Sequence, residues 1–363
     1  MNVLSLFDGM GCGMIALLES GVKIDKYYAS EVDKFAIQQT KYNFPNIIHL
    51  GDVRNIDVSK LDHIDLLIGG SPCQSFSFAG KQNGMSTTCK IYLYTLDQYL
   101  QLKDKNFEFE GQSYLFWEYI RILTEIRKYN PKIKFLLENV EMLKKWERTL
   151  SEAIGIYGIH INSSLVSAQN RRRIYWTNIK TKSVGLFGEL HADIPQPADR
   201  GILLKDILQP NDQVNEKYFL SEKSQIALLK GIKGKQRTPE NKAGYLTAGA
   251  HSGGNHSDMD VICVSMVGRR IDGNGIRKDT DKSIPAVQRL EPNTDGKTGC
   301  LTSVQKDNLI TNGYKLRRLT PVECARLQTI PEWYKWTVSD TQIYKMLGNG
   351  WTVEVIKHIF SFL

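Results

Sequence analysis

No stretch of the 363-residue sequence is apolar over the length that a membrane span requires. No basic leader with a cleavage site precedes the first predicted strand, residues 2–7. The six cysteines include no Cys-x-x-Cys pair, and none has a histidine nearby at zinc-binding spacing. We therefore expect a soluble, unexported protein with free thiols in a reducing cytoplasm, without a membrane partner or a bound metal.

Acidic residues are the minority, with 39 Asp and Glu against 47 Lys and Arg, a net charge of +8 and an isoelectric point near 9.0. This balance suits a polyanionic partner, although many proteins that bind no polyanion share it. The length allows either one large domain with an appendage or two domains.

The most informative stretch is a short apolar run followed by a glycine-proline turn. Residues 64–68 predict a buried parallel strand, which Gly69, Gly70 and Pro72 then end. Cys73 therefore follows the carboxyl end of a strand, the edge at which open α/β sheets bind ligands. A free cysteine is more often a small buried hydrophobic residue, so this stretch alone leaves a nucleophilic and a structural interpretation open.

A glycine-rich turn follows the first predicted strand. Residues 9–13 contain three glycines ahead of an apolar helix predicted over residues 14–20, so the backbone can approach a ligand at the helix N-terminus. Glu31 follows a second predicted strand, residues 27–30, where a carboxylate can accept hydrogen bonds from ribose hydroxyls. The glycine spacing is not that of a dinucleotide site. The pattern predicts a nucleoside-bearing cofactor, with a purely structural turn as the alternative.

Two more acids follow predicted strands. Asp52, after residues 47–50, could bind an adenine amino group, but in isolation a helix cap is the favoured interpretation. Glu138, after residues 132–137, is a candidate acid or hydrogen-bond partner whose pKa a dry site would raise, and a helix cap is again the alternative.

Three adjacent arginines, Arg171, Arg172 and Arg173, lie between strand-like runs at residues 159–166 and 174–178. Such a cluster is usually a solvated surface. Next to a sheet it could instead neutralise a phosphate or bind a base.

Two segments depart from this βα pattern. Residues 81–112 form a polar connection before a helix predicted over residues 114–129, and so long a connection is typical of a lid or binding loop. Residues 179–316 contain 15 of the 29 glycines and predict a loop-rich, mainly β recognition domain. Within it His251 and His256 are expected to form loop hydrogen bonds rather than to bind metal.

Regular structure returns near the C-terminus. Thr320, Pro321 and Glu323 predict the capped start of a helix over residues 319–327. A glycine-flanked Asn349 precedes a last amphipathic helix over residues 352–363, which indicates a close approach to a ligand or a strand.

Over nearly its whole length the sequence resembles the DNA (cytosine-5) methyltransferases of the bacterial or phage single-chain type. The motifs that carry the resemblance, in chain order, are Phe7-Asp8-Gly9-Met10-Gly11, Glu31, Asp52, Ser71-Pro72-Cys73-Gln74, Glu138-Asn139-Val140, Gln169-Asn170-Arg171-Arg172-Arg173, Arg318-Leu319-Thr320-Pro321 with Glu323 and Arg326-Leu327-Gln328, and Gly348-Asn349-Gly350.

The chain departs from the family pattern at four positions. Asp8 and Cys12 stand where members often have alanine and glycine, and Gly350 stands where they often have serine. We expect altered cofactor packing with retained activity. Cys300 takes the threonine position of a Thr-Leu pair, so a phosphate contact is expected to shift to Thr302.

The resemblance implies an α/β, Rossmann-like S-adenosylmethionine-dependent methyltransferase fold with a smaller, loop-rich, mainly β target-recognition domain. The catalytic domain would comprise residues 1–178 and 317–363, and the recognition domain residues 179–316. By resemblance, the expected catalytic residues are Pro72, Cys73, Glu138, Asn139, Arg171 and Arg173. The expected cofactor-binding residues are Phe7, Asp8, Gly9, Met10, Gly11, Cys12, Glu31, Val32, Asp52, Val53, Pro72, Leu115, Asn349 and Trp351.

The implied reaction transfers a methyl group from S-adenosylmethionine to C5 of a cytosine flipped out of a specific short duplex, leaving S-adenosylhomocysteine. A covalent bond between Cys73 and C6 activates C5. The implied partner is double-stranded DNA, with a monomeric enzyme in the cytoplasm of a bacterial or phage-infected cell, associated with the nucleoid. A cognate restriction endonuclease, without a stable complex, is compatible with this.

Three rival functions use some of the same residues. A tRNA cytosine-5 methyltransferase would share the site, but a recognition region the size of a domain favours duplex DNA. A DNA-binding module that has lost its chemistry would not need Cys73, Glu138 and Arg173. A nicotinamide-dependent dehydrogenase is suggested by the glycine turn alone.

Overall fold

The structure is a computed structural model that describes residues 1–73, 75–76, 84–222, 262–274, 276–293, 295–303, 308–311 and 316–363. Its strands are β1 (Asn2–Leu6), β2 (Lys26–Ser30), β3 (Ile48–His49), β4 (Leu66–Gly70), β5 (Lys134–Val140), β6 (Ile159–Asn162), β7 (Arg172–Thr177), β8 (Thr181–Val184), β9 (Glu189–Ala192), β10 (Ile262–Arg270), β11 (Ala286–Asn293), β12 (Asn308–Thr311) and β13 (Leu316–Arg318). Its α-helices are α1 (Cys12–Glu19), α2 (Lys34–Asn43), α3 (Leu96–Asp104), α4 (Phe116–Tyr129), α5 (Lys144–Ile154), α6 (Pro321–Leu327), α7 (Asp340–Asn349) and α8 (Val353–Phe360).

A seven-stranded sheet in the order β3-β2-β1-β4-β5-β7-β6 forms the centre of the larger part of the molecule. The first five strands are parallel, whereas β7 is antiparallel to both β5 and β6. Because the carboxyl ends of parallel strands share one edge, the segments after β1, β2, β3, β4 and β5 all meet there. The predicted α/β class is confirmed.

Helices cover both faces of this sheet, because successive strand residues point to opposite sides. In β1, Val3 belongs to a buried cluster with α1 and α8, while Leu4 and Leu6 belong to a second cluster with α4 and α5. Strands buried on both faces are apolar throughout rather than alternating, which is how β1 and β4 read in the sequence.

Two strands differ from their predicted bounds at the edge that matters for function. Glu138 and Asn139 lie within β5, not after it, because Glu138 pairs with Gly70 of β4 and Asn139 pairs with Ile174 of β7. Arg173 likewise lies within β7, opposite Val140. Backbone pairing on both sides continues these strands beyond their apolar residues, so the helix-cap interpretation of Glu138 is wrong.

The described part of the connection between β4 and α4 contains a helix that the sequence analysis did not predict. This helix is α3, whose N-cap Thr95 accepts a hydrogen bond from the Gln98 amide at 3.2 Å. Met85, Leu93 and Tyr99 are buried in the same cluster as α4. Residues 81–83 lie outside the described part of the chain, and the closure of residues 81–112 over a ligand stays a prediction.

A second, antiparallel sheet in the order β11-β10-β12-β13 lies largely within the predicted recognition region, in agreement with its expected β character, but β13 extends past the predicted boundary at residue 316. Earlier parts of that region pack with the larger sheet: Ile179, Ile194, Leu204 and Ile207 are buried in the cluster that contains α1 and α8, together with Ile310 of β12. His251 and His256 lie outside the described residues, so their expected hydrogen bonds stay a prediction. The domain boundaries also stay a prediction.

The predicted capping of α6 is confirmed. The Thr320 hydroxyl accepts from the Glu323 amide at 3.2 Å, and the Glu323 carboxylate accepts from the Thr320 amide at 2.8 Å. The same carboxylate forms a buried ion pair with Arg317 of β13 at 2.8 Å, which ties the second sheet to α6. Among the described helices, none has the length and apolar character needed to cross a membrane.

Candidate active site

The turn after β4 carries Cys73 at the carboxyl edge of the sheet. A Cβ atom on Gly70 would lie 2.9 Å from Trp351 Nε1 and 3.1 Å from a Glu138 oxygen, so only glycine fits between these side chains. Asn139 Nδ2 donates to the carbonyl and hydroxyl oxygens of Ser71 at 3.2 and 3.0 Å. These contacts hold the Ser71–Pro72–Cys73 backbone against β5, with Cys73 and Pro72 half-buried. Gln74 is outside the described residues.

Glu138 is the buried carboxylate of this site. Its Oε1 atom lies 2.9 Å from Nε of Arg173, and its Oε2 atom accepts a hydrogen bond from Nε1 of Trp351 at 3.2 Å. The side chain is 10% exposed. A carboxylate held from two directions in a dry site is well suited to bind one oriented hydrogen-bonding edge of a ligand.

The predicted arginine cluster divides into three different environments. Arg172 is exposed and Arg173 is largely buried beside Glu138. Arg171 is buried, and its guanidinium donates to the carbonyl oxygens of Leu301, Gly348 and Gly350 at 3.2, 3.2 and 2.7 Å. Arg171 thereby joins the segment that precedes β12 to the end of α7.

Several charges act on the Cys73 thiol. Burial raises the pKa of Cys73, the Glu138 carboxylate raises it further, and Arg173 and Arg171 oppose both effects without cancelling them. The net effect favours the neutral thiol. A reaction that needs the thiolate must therefore give its proton to another group.

The predicted cofactor turn lies between β1 and α1. Phe7, Gly9 and Gly11 adopt left-handed φ values of 58°, 59° and 83°, which makes this turn tight. The Glu31 carboxylate accepts hydrogen bonds from the amides of Gly9, Val32 and Asp33 at 2.8, 2.7 and 2.8 Å. Glu31 is thus fixed against the turn while lone pairs remain available to accept from a ligand's hydroxyl groups.

Asp8 is an unusual feature of this turn. Its Oδ1 atom accepts a hydrogen bond from the Tyr27 hydroxyl at 2.7 Å, but its buried Oδ2 atom has no hydrogen-bond partner within the described residues. Burial raises the pKa of Asp8 to about 6, although the nearby hydroxyls of Ser5 and Tyr27 lower it. An orphaned, buried carboxylate oxygen suits a ligand that brings a cationic or hydrogen-bond-donating group.

Two departures from the family pattern touch each other. A Cβ atom on Gly350 would lie 3.3 Å from Sγ of Cys12 and 3.0 Å from the Met346 carbonyl oxygen. The larger residue at position 12 therefore accompanies a smaller residue at position 350, and burial raises the pKa of Cys12 to about 12, so it remains an inert thiol. The Met10 carbonyl next to it accepts from the Tyr334 hydroxyl at 2.8 Å.

The remaining predicted cofactor residues follow neighbouring strands or lie at helix ends. Asp52 caps a 3₁₀ turn, Val53–Asn55, by accepting from the Arg54 amide at 2.9 Å, and its carboxylate also pairs with the Arg54 guanidinium. The cap interpretation is thus confirmed, whereas an adenine contact stays a prediction.

Val32 is 68% exposed beside Glu31, an unusual position for an apolar side chain. Leu115 ends a 3₁₀ turn, Ser113–Leu115, at the start of α4. Asn349 is the last residue of α7, and Trp351 follows it.

The sequence analysis missed how Trp351 and Cys300 contribute to this site. Trp351 was expected at the cofactor, yet its indole nitrogen contacts Glu138, 213 residues away in sequence. Cys300 was expected only as a replaced threonine, yet its sulfur contacts Arg171 and Arg173. No local pattern could have revealed either contact. Among the described residues no group of three or more histidine, cysteine or acidic side chains could hold a metal ion.

The chain matches the family model described as C-5 cytosine-specific DNA methylase over residues 1–363. It is 27% identical to an orphan methyltransferase, M.SPRI, of Bacillus phage SPR, covering 99% of this chain and 97% of that protein. It is 29% identical to the type II methyltransferase M1.ScrFI of Lactococcus lactis subsp. cremoris, covering 99% and 76%.

Among solved structures, the Entamoeba histolytica methyltransferase EhMeth aligns with a TM-score of 0.60 at 14% identity, covering 100% of this chain and 97% of that one. The S. pombe Dnmt2 methyltransferase aligns with a TM-score of 0.57 at 16% identity, covering 99% and 97%. These likenesses establish a shared fold, and they confirm the predicted methyltransferase architecture. Together with the match along the entire sequence, they show that the chain belongs to the C-5 cytosine-specific DNA methylase family.

Proposed function

We propose that this enzyme transfers a methyl group from S-adenosylmethionine to C5 of a cytosine flipped out of double-stranded DNA, through a covalent bond between Cys73 and C6. The observation that carries the proposal is the contact of Glu138 with both Arg173 and Trp351 at the strand edge that also carries Cys73. A thiol, a carboxylate and a guanidinium are then available around one flat ligand.

In this proposal Cys73 is the nucleophile. Its thiolate adds to C6 of cytosine, and the electron pair displaced from the C5–C6 bond makes C5 an enamine carbon that can attack an electrophilic methyl group. The C5 proton then leaves to a base, the Cys73–C6 bond breaks, and the thiolate is released. Glu138 accepts a hydrogen bond from the exocyclic amine and shares a proton with N3, which neutralises the negative charge that develops on the ring as the thiolate adds.

Arg173 fixes the base carbonyl or the adjacent phosphate and favours the thiolate of Cys73 through its positive charge. Asn139 and Pro72 shape the pocket. Arg171, with its guanidinium committed to Leu301, Gly348 and Gly350, acts by holding the segments around the base in register.

The turn between β1 and α1 suits S-adenosylmethionine. Glu31 would hold the ribose hydroxyls, and Asp8, through its orphaned Oδ2, would accept a hydrogen bond from the amino-acid ammonium. Backbone groups of the turn, Phe7, Gly9, Met10, Gly11 and Cys12, would line the site. Val32, Asp52, Val53, Leu115, Pro72, Asn349 and Trp351 would surround the remainder. When bound, S-adenosylmethionine supplies an electrophilic methyl group and leaves as S-adenosylhomocysteine.

The target atom is inaccessible in a stacked duplex, so the cytosine must leave the helix, at a cost of roughly a few kcal/mol. Phosphate contacts from this basic protein offset that cost and make DNA binding salt-dependent. We propose that residues 179–316 read the major groove as a recognition domain, beside a catalytic domain of residues 1–178 and 317–363. Thr302, exposed next to Cys300 and Leu301, is the proposed phosphate contact.

The relatives support a proposal about the cellular setting. Because they include an orphan phage methyltransferase and a type II methyltransferase of Lactococcus lactis, we propose a bacterial or phage setting. There the enzyme would act as a cytoplasmic, nucleoid-associated monomer, with any restriction endonuclease partner forming no stable complex.

Bisulfite sequencing of plasmid DNA from a methylation-deficient host that expresses the chain tests the proposal. Protected cytosines in one short sequence context are expected with the wild-type enzyme and with Cys89→Ala, which alters an exposed cysteine. They should be absent with Cys73→Ala. Full conversion of every cytosine by bisulfite, despite well-expressed folded protein, would contradict methylation of DNA.

A further inference from the structure

A second cysteine lies at the arginine pair of the candidate site. Sγ of Cys300 is 3.2 Å from Nη1 of Arg171 and 3.5 Å from Nη2 of Arg173, and both guanidinium groups donate to it. Cys300 itself is half-buried. Because sulfur is a weak acceptor as a neutral thiol, two charged donors on one sulfur favour its ionised form.

The surrounding charges act on the Cys300 sulfur. Two guanidinium groups are buried here against one carboxylate, that of Glu138, and the other acceptors of Arg171 are neutral carbonyls. Burial raises the pKa of Cys300, but Arg171 and Arg173 together lower it below its usual value. The thiol also donates to the Leu301 carbonyl oxygen at 3.3 Å, which leaves the lone pairs of the sulfur to the two guanidinium groups.

The contact also determines where Arg173 points. Its Nε atom lies at Glu138, its Nη2 atom at Cys300, and its Nη1 atom donates to the Arg172 carbonyl at 2.7 Å. The planar guanidinium is therefore held along three directions. Without the sulfur, Nη2 loses its acceptor while Nη1 keeps the Arg172 carbonyl, and the guanidinium can tilt out of the plane in which Nε meets Glu138.

We propose that Cys300 is a positioning residue for methyl transfer: its sulfur accepts from both Arg171 and Arg173 and keeps the Arg173 guanidinium directed at Glu138. This inference rests on the proposed function, because the reaction that Cys300 assists is the proposed methyl transfer. The contact of Cys300 with the two arginines does not depend on that reaction. Cys300 touches neither the cytosine nor the cofactor in this scheme.

The kinetic test compares Cys300→Ser, which keeps an acceptor of similar size, with Cys300→Ala, which removes it. Because hydrogen bonds to charged groups are the stronger ones, Cys300→Ala is expected to lower kcat roughly tenfold or more, with little change in the KM for S-adenosylmethionine. Cys300→Ser should restore kcat to within about threefold of the wild type. Equal kcat values for Cys300→Ala and the wild type would overturn the positioning role. A loss of kcat in Cys300→Ala that Cys300→Ser does not restore would also overturn it.

The spectroscopic test needs no activity. Thiolate absorbance in the ultraviolet is followed as the pH rises. Because the two guanidinium groups lower the pKa of Cys300, Cys300→Ser should remove the thiolate absorbance that develops below the ordinary cysteine pKa, whereas Cys89→Ser, in an exposed segment, is the matched control and should keep it. The same titration curve for Cys300→Ser and the wild type would overturn the inference whatever the activity. A wild-type protein that methylates no DNA but loses this absorbance in Cys300→Ser would contradict the proposed reaction and leave the contact with the arginines established, so the two failures are distinguishable.

Discussion

Nε of Arg173 lies 2.9 Å from Oε1 of Glu138. The two residues come from the neighbouring antiparallel strands β7 and β5, in which the backbone of Arg173 pairs with Val140. The register therefore places the guanidinium one strand away from the carboxylate at the edge that carries Cys73. An ion pair built on two central strands is rigid, and rigidity at this position pre-organises the site for a flat ligand.

Glu138→Gln tests the role of the buried carboxylate. The substitution keeps the size of the side chain but removes the charge that orients Arg173 and the proton that Glu138 shares with N3 of the reacting base, so methyl transfer should fall roughly a hundredfold or more. Glu141→Gln, three residues along and more exposed, is the matched control and should retain activity. Methyl transfer would be measured with labelled cofactor on plasmid DNA. Comparable activity of the two variants would exclude the assigned role.

The reactivity of Cys73 should respond in opposite directions to its two charged neighbours. Since the Glu138 carboxylate raises the pKa of Cys73 and Arg173 lowers it, Glu138→Gln should shift alkylation of Cys73 to lower pH and Arg173→Met should shift it to higher pH. Below the pKa, the thiolate fraction rises about tenfold per pH unit. Iodoacetamide labelling followed by peptide mass spectrometry at several pH values measures the shift.

This result would separate nucleophilicity from catalysis, because Glu138→Gln should alkylate faster than the wild type while methylating more slowly. Identical alkylation profiles for the wild type and both variants would show that these charges do not reach the thiol.

Asp8 makes stability depend on pH in a predictable direction. Its pKa is 3.8 in the unfolded reference and about 6 in the folded protein, so the folded state binds the proton more tightly. The stability that this proton contributes is present below pH 3.8 and is lost as the pH rises to about 6. Ionisation in the buried turn thus costs about 3 kcal/mol at neutral pH.

Asp8→Asn removes that cost, so the variant should gain stability relative to the wild type at neutral pH and lose this advantage toward pH 4, which denaturant unfolding at both pH values can measure. A difference between variant and wild type that is constant across this range would show that Asp8 does not titrate as proposed. Because the predicted cofactor lies on this turn, the measurement should be made with and without S-adenosylmethionine.

Gly348→Ala tests the contact between α7 and the segment before β12. In an ordinary helix this change would stabilise by about 1 kcal/mol. Here the added Cβ would lie 2.3 to 2.5 Å from backbone atoms of Thr302 and Ser303, so we expect a loss of about 1–3 kcal/mol. Gly273→Ala, where the Cβ meets no atom within 4 Å, is the matched control and should change stability by less than about 0.5 kcal/mol. A stabilised Gly348→Ala protein would show that these segments do not meet.

Local patterns predicted the strand-turn-helix units and the order of the acids and thiol along the sheet edge. They succeeded because buried parallel strands are continuous apolar runs and because glycine and proline mark their ends. They failed at β5 and β7, where pairing with neighbours extends strands over Glu138, Asn139 and Arg173, and at α3, whose burial of Tyr99 depends on α4. For Asp52, the local sequence correctly predicted a cap, whereas a contact with adenine stays a prediction.

The sequence by itself determined the family, the α/β order of elements, the capped start of α6 and the residue types at the candidate site. Those features depend on short segments whose propensities and motifs are local. Only the tertiary structure decided that Trp351 closes over Glu138, that Cys12 takes the space beside Gly350, and that Cys300 joins Arg171 and Arg173. These contacts join residues more than 120 positions apart, and the packing of strands and helices, not any local preference, brings them together.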